Sequence, residues 1–398
     1  MRTCLYKMMK LGIVFFSLII MGCSSLPKLA PVPEDLSNDA QITGIPDARF
    51  WGDEYPKGAE YRIESFTSEQ FQEISPDIFG VEHNYLAISG GGAHGAFGAG
   101  LLYGWSQSGT RPEFTMVTGI STGALTAPFA FLGSKYDEQL KEVYTTTTTD
   151  KILKRRWILS ALLSDAMADT QPMAKTIAKF ITPEMVEEIA VAHRGGRRLF
   201  IGTVNLDAGR SVIWSIGAIA ASDHPDKVQI IHDVMRASAS IPVAFPPVKI
   251  AVEANSVEYD ELHVDGGTGS QVFVYPAEID WEEITDKLKV PGRPNVYIIR
   301  NSYIDPKYEV KEYSLINIAG RTISSLIRTQ GIGDLYEIYA LCQRDGNEFH
   351  LAYIPRSFKQ EPAEEFDPVF MTELFEIGYE QAINGYEWHS GPPGFEKN

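Results

Sequence analysis

Apolar and polar positions fall into blocks along the chain. Residues 85–89, "YLAIS", form a short continuous apolar run that predicts a buried strand, and residues 96–106 predict a helix. A second run at 114–117 predicts another strand, with a helix opening after Ser121. Thr182-Pro183-Glu184 supplies a cap, a proline at the first helical position and an acid in the first turn, and Gly195-Gly196 closes that helix. Residues 199–205 and 211–216 alternate around Asp207-Ala208-Gly209 and predict a hairpin. "NVYIIRNS", 295–302, predicts one more buried strand. Strands alternating with helices predict an α/β layered domain with a largely parallel sheet. No internal repeat is visible.

The chain opens differently. Arg2, Lys7 and Lys10 precede an apolar core at 11–20, too short to span a bilayer and suited to a secretory signal. Ile20-Met21-Gly22-Cys23 resembles the lipobox of bacterial lipoproteins, which implies a signal peptide over 1–22 and lipid attachment at Cys23. Several acyl chains on one residue anchor a protein stably. Ser24, rather than Asp, follows the cysteine, which by resemblance to known sorting rules implies the outer membrane, facing the periplasm. Residues 23–46, with four prolines at 27, 31, 33 and 46, read as a flexible tether. Residues 47–83 read as an N-terminal extension, 84–280 as the main folded body and 281–398 as a C-terminal part packed on the same domain.

Composition narrows the partners. At 398 residues, 44% hydrophobic and 22% charged, the chain can bury a substantial core. Its net charge of −17 becomes three units more negative without residues 1–22, which disfavours nucleic acid and electrostatic adsorption to anionic lipid. Of three cysteines, Cys4 leaves with the signal and Cys23 is taken by lipid, so Cys342 has no partner for an intrachain disulfide. No metal or other cofactor is expected, and no protein partner is inferable.

"SGGGAHGAFGAG", 89–100, holds six glycines and three alanines between a strand and a helix. Bare backbone there serves a phosphate or an oxyanion equally well. Gly90, Gly92 and Gly95 fit G-x-G-x-x-G, but a dinucleotide site wants an acid about 20 residues on, after the next strand. Glu113 precedes that strand, and "GISTG", 119–123, follows it. G-x-S-x-G between strand and helix is the nucleophile-elbow pattern, with Gly119 and Gly123 relieving the turn around Ser121. For a base, His389 would complete a Ser…Asp…His order, and His263 shares a strand face with Asp265. "HVDGGTGS" can equally aim Asp265 into a crevice or be an ordinary turn.

Together "GGGAHG", "GISTG" and "DGG", in this order, resemble the patatin-like phospholipase family, as do "RASASIPVAFPPV" (236–248), "TVNLDAGRSVIW" and "FEIGYEQAINGYEW". The resemblance covers roughly residues 83–280. It implies a three-layer sandwich around the parallel sheet and a Ser–Asp dyad, Ser121 as nucleophile and Asp265 as base, with Gly266 and Gly267 completing the Asp-Gly motif. It also implies an oxyanion hole from Gly90, Gly91, Gly92, Ala93, His94 and Gly95. Ser89 stands where the family usually has Asp, and His94 where it has Arg or Lys. The implied reaction is cleavage of carboxylic esters of phospholipids, lysophospholipids or acylglycerols, with membrane lipids as substrate and anchor. Acyl transfer through the same dyad, or a silent membrane-anchored lipid binder, are the alternatives. Residues 127–133 and 241–248 are apolar enough to line an acyl pocket.

Overall fold

The structure, a computed structural model, describes residues 30–155, 168–306, 308 and 315–395. Among these, the main sheet has nine strands: β1 (Arg49–Trp51), β2 (Asn84–Ile88), β3 (Met116–Ile120), β4 (Arg198–Asn205), β5 (Arg210–Ser215), β6 (Val248–Ala254), β7 (Val257–Asp265), β8 (Asn295–Arg300) and β9 (Glu348–Tyr353). The helices that position the site and its surroundings are α1 (Lys57–Ser65), α2 (Ser68–Ile74), α3 (Gly95–Gln107), α4 (Thr122–Leu132), α5 (Asp137–Thr146), α6 (Gln171–Phe180), α7 (Pro183–Arg194), α8 (Lys227–Ser238), α9 (Trp281–Lys287), α10 (Leu315–Arg344) and α11 (Pro368–Ile383).

β9, β8, β2, β3 and β4 run parallel in that spatial order. The predicted hairpin continues the sheet, with β5 antiparallel to β4 and β1 antiparallel to β5. β2 and β3 are buried at all five positions, as strands covered on both faces must be. Leu86 and Ile88 join the core that α3, α4, α8 and α11 build on one face, while Tyr85 and Ala87 join the core that α10 builds on the other. The fold is therefore a three-layer α/β sandwich with a mostly parallel centre. The second predicted strand ends later than expected: Thr118 and Gly119 look like a break in sequence, yet they pair with Ala87 and Ile88.

Residues beyond 280 complete this body. β8 and β9 extend the sheet, and α11 lies against α3 with backbones close. A Cβ on Gly378 would stand 2.3 Å from Phe97 O, and one on Gly100 1.9 Å from Phe375 O. Only glycine permits that approach. The expected tether is packed over part of its described stretch. Ala40, Ile42 and Ile45 are buried, and Gln41 pairs with Glu253 of β6. Three well-spaced apolar side chains outweigh the surrounding prolines once the β6–β7 hairpin offers them a surface. The expected signal segment and Cys23 lie outside the described residues.

Candidate active site

Two strand ends meet above β4. Along one edge of β4, Gly202 faces Ile120, the last residue of β3, and the next residue, Thr203, faces Asp265, the last residue of antiparallel β7. Ser121 follows Ile120 directly, so the ladder register delivers Ser121 and Asp265 to adjoining positions from opposite directions.

Ser121 adopts φ 55° and ψ −123°, a conformation non-glycine residues rarely hold, as the sole link between β3 and α4. The flanking glycines make this turn possible. A Cβ on Gly119 would lie 2.5 Å from Gly123 O, and one on Gly123 2.1 Å from Ile88 O. Ser121 N donates to Ser238 Oγ (3.0 Å), whose own hydroxyl donates to Gly202 O (2.7 Å). The elbow is thereby tied to β4.

Asp265 is almost wholly buried. Its Oδ1 accepts from Gly267 N at 2.7 Å, and its N donates to Ser240 O at 2.9 Å. Oδ2 is buried and makes no hydrogen bond of ordinary geometry. Burial pushes the carboxyl up to about 7, against the opposing pull of the Ser121 hydroxyl and the Gly267 N–H. Gly266 admits no side chain because a Cβ would meet Gly202 O at 2.4 Å.

The glycine loop lies beside this pair: a Cβ on Gly90 would stand 3.2 Å from Ser121 Cβ. Of the six residues expected to form an oxyanion hole, three have their N–H engaged. Gly90 N donates to Gln271 O (3.1 Å), His94 N to Gly91 O (3.1 Å), and Gly95 N to Gly92 O. Gly91, Gly92 and Ala93 keep theirs free of main-chain partners at the start of a short 3₁₀ turn that leads into α3. Gly91 is pressed against β8, where a Cβ would come within 2.2 Å of Asn301 O, and Gly92 holds φ +56° with open space where a Cβ would be.

Residues 86–278 match the family model described as patatin-like phospholipase. This chain carries a patatin-like phospholipase domain. The crystal structure of VipD from Legionella pneumophila is similar over 76% of this chain and 66% of that one, just under two thirds of its length, at 13% identity and a TM-score of 0.39. No curated protein matches. The match of this domain to the family model supports lipid acyl hydrolysis as the general chemistry.

Both departures of this patatin-like domain from its family's motif still brace the loop. Ser89 Oγ donates to Gly90 O (2.7 Å) and accepts from Asn301 N (2.9 Å). His94 places Nδ1 3.2 Å from Gly91 O and packs its ring edge-on to Tyr303 and Phe370. Sequence reasoning missed the residues that hold the loops. Asn301 also accepts from Gly98 N (3.1 Å), and Gln271 joins the Asp loop to Gly90 while its own N–H donates to Asp334 (2.6 Å). A polar residue closing the apolar run at 295–300 was the available signal for Asn301; Asp334, inside a long helix, left none.

The histidines lie elsewhere. His389 pairs with Leu351 at the β9 edge and stacks on Tyr353, with β8 and β2 between it and β3. That placement disfavours a Ser–Asp–His triad. His263 does share the strand face of Asp265, but it binds Thr203 Oγ1 and Glu261 (2.9 and 3.0 Å). No cluster of three metal-ligating side chains occurs among the described residues.

A narrow apolar cavity of about 50 Å³ opens at Gly92 and Thr122, next to Ser121. Leu125 and Phe129 of α4, Met173 and Phe180 of α6, and Met371 of α11 line it. The 127–133 stretch contributes Phe129 as expected, whereas 241–248 contributes nothing to this cavity.

Proposed function

We propose that the protein is a lipid acyl hydrolase that cleaves carboxylic esters through Ser121 and Asp265. One observation carries the reading: a buried carboxyl whose Oδ2 makes no hydrogen bond of ordinary geometry, pushed up to about 7 beside a serine on a strained elbow. As the ester carbonyl enters, Ser121 Oγ forms the new C–O bond and its proton passes to Asp265 Oδ2. The N–H groups of Gly91, Gly92 and Ala93 are the donors available to the oxyanion. Collapse breaks the bond to the leaving alcohol, which takes the proton from Asp265. Water then attacks the acyl-serine, Asp265 accepts its proton, and Ser121 recovers one as the fatty acid departs.

The acyl chain follows the cavity beside Thr122. Its small volume requires flexible neighbours such as Met173 and Met371 to move, and favours a single chain over a bulky acyl group.

A base must be ionised to act. Because Asp265 is pushed up to about 7, kcat/KM should rise with pH through an apparent pKa near 7 and level off above it. An initial-rate profile on a soluble short-chain ester checks this; a limb near 4 would mean that the base is not a buried carboxyl.

The substrate in this reading is a membrane lipid. Ile241 and Val243 are exposed, and they sit just after Ser240, whose carbonyl anchors Asp265 N. Val243→Asp is expected to lower activity on phospholipid vesicles about tenfold while leaving a soluble ester unaffected. Equal loss on both would assign the residue to folding instead. Acylation of Cys23 would hold the enzyme at its substrate, in the cell envelope and at the outer membrane. Metabolic labelling with a palmitate analogue, lost in Cys23→Ala, tests that part.

A further inference from the structure

A cavity of about 530 Å³ lies at the far end of the sheet from Ser121. It touches Tyr85, Met116 and Arg198 near the beginnings of β2, β3 and β4, whereas Ser121 follows the last residue of β3. Its size falls in the ~300–1,000 Å³ range of small-molecule sites. The walls are apolar: Ile63 and Phe71 from α1 and α2, Met116 and Phe200 from the sheet, Trp281 and Ile284 from α9.

One end is cationic. Arg62, Arg194 and Arg198 reach it, with Asp47 as the carboxylate on the same wall. Asp47 stands 3.6 Å from Arg62, and Arg194 pairs with Glu187 at 2.9 Å. Arg198 has no carboxylate at ion-pair distance among the described residues. Its guanidinium donates instead to two backbone carbonyls, His193 O at 3.1 Å and Arg197 O at 3.0 Å. It is enclosed by protein yet retains accessible surface, which lines the cavity. Burial and Arg62 both lower its pKa, to about 10. The same field acts on His193, which burial and the three arginines hold down at about 3. A buried cation without a counter-ion is costly, and an anionic ligand head relieves that cost.

We propose that this cavity binds a single-chain lipid anion, a long-chain fatty acid, with its tail between α1, α2 and α9 and its carboxylate on Arg198 and Arg62. An apolar chamber closed by two arginines matches a monoanionic head on an unbranched tail. The fatty acid is also the product of the proposed hydrolysis, so this second site would sense accumulated product, a consequence that rests on that reading; the binding itself does not.

The test uses the full chain as Ser121→Ala, titrated with oleate, oleyl alcohol and oleoyl-lysophosphatidic acid. Oleate is expected to bind at one equivalent. Arg198→Gln and, separately, Arg62→Gln on the more exposed α1 should each weaken oleate about tenfold, as loss of a charge-assisted contact does, and leave oleyl alcohol unchanged. Ala59→Trp, which fills the cavity from α1, should abolish both. In a separate arm, wild-type protein labelled at Ser121 by a long-chain fluorophosphonate must retain the site; loss of oleate binding there would place the binding in the acyl cavity and overturn the proposal. No oleate binding, or oleate binding by both arginine variants as tight as by the protein without them, overturns it too. Tighter binding of the lysophosphatidate than of oleate would reassign the head from carboxylate to phosphate and reject the fatty-acid assignment. Failure of Ser121 to react with the probe would sink the hydrolase reading while the arginine variants still decide this one.

Discussion

Ser121→Ala and Asp265→Asn will each lower kcat by about 10⁴ or more, since the proposed nucleophile and base would act as a unit, and the double variant will be no worse than either alone. Fatty-acid release from short-chain phospholipid, lysophospholipid and acylglycerol micelles measures this and ranks the substrates. If Asp265→Asn kept a tenth of the wild-type rate, the base would have to be sought elsewhere. The two variants should part company in stability. A carboxyl with a folded pKa of about 7 and an unfolded value near 4 binds its proton more tightly in the native state. Wild-type stability is therefore fully expressed below about pH 4 and is progressively lost as pH rises through 7. Asp265→Asn removes that loss. Its melting temperature should exceed wild type at pH 8, by an amount equivalent to roughly 3–4 kcal/mol, and match it at low pH. Ser121→Ala should show no such pH-dependent gain.

Gly378→Val should be the most damaging substitution outside the dyad. Its Cβ would meet Phe97 O at 2.3 Å and Leu101 N at 2.7 Å, both backbone atoms that no side-chain rotation can move. Overpacking typically costs 1–3 kcal/mol, and contact with rigid backbone should exceed that, enough in a chain of this size for a fall in melting temperature of about 5 °C. Activity should fall with it, because α3 begins in the glycine loop. Glu376→Ala, exposed on the same helix, is the control and should leave both unchanged. Thermal denaturation of the three proteins decides the matter.

The parts of the site written in glycine are legible in the amino-acid sequence alone. A serine turn, an aspartate turn and a bare loop each need backbone that other residues cannot supply, so residues 90–95, 119–123 and 265–267 stand out. The register that brings Ser121 and Asp265 together is not legible there, because β4 pairs with β3 along the first five residues of one edge and with β7 along the last three. Long-range pairing of this kind leaves no local pattern. The helix α10 is hidden for the opposite reason. Gly331 reads as a breaker, but a Cβ there would meet Arg300 Nη1 at 2.4 Å, so the glycine serves packing against β8. Gln271 and Asn301 position loops through scattered hydrogen bonds to distant parts of the chain, which no periodicity announces.

The contact between α3 and α11 has a temporal consequence. The helix that carries the reactive loop starts at residue 95, and the helix that seals it starts at residue 368. Most of the chain's synthesis separates the two halves of that one interface. A ribosome holding an unfinished copy therefore holds one in which this interface is not yet made, and a nick that removes the late helix is expected to weaken lipid cleavage instead of releasing it unchecked.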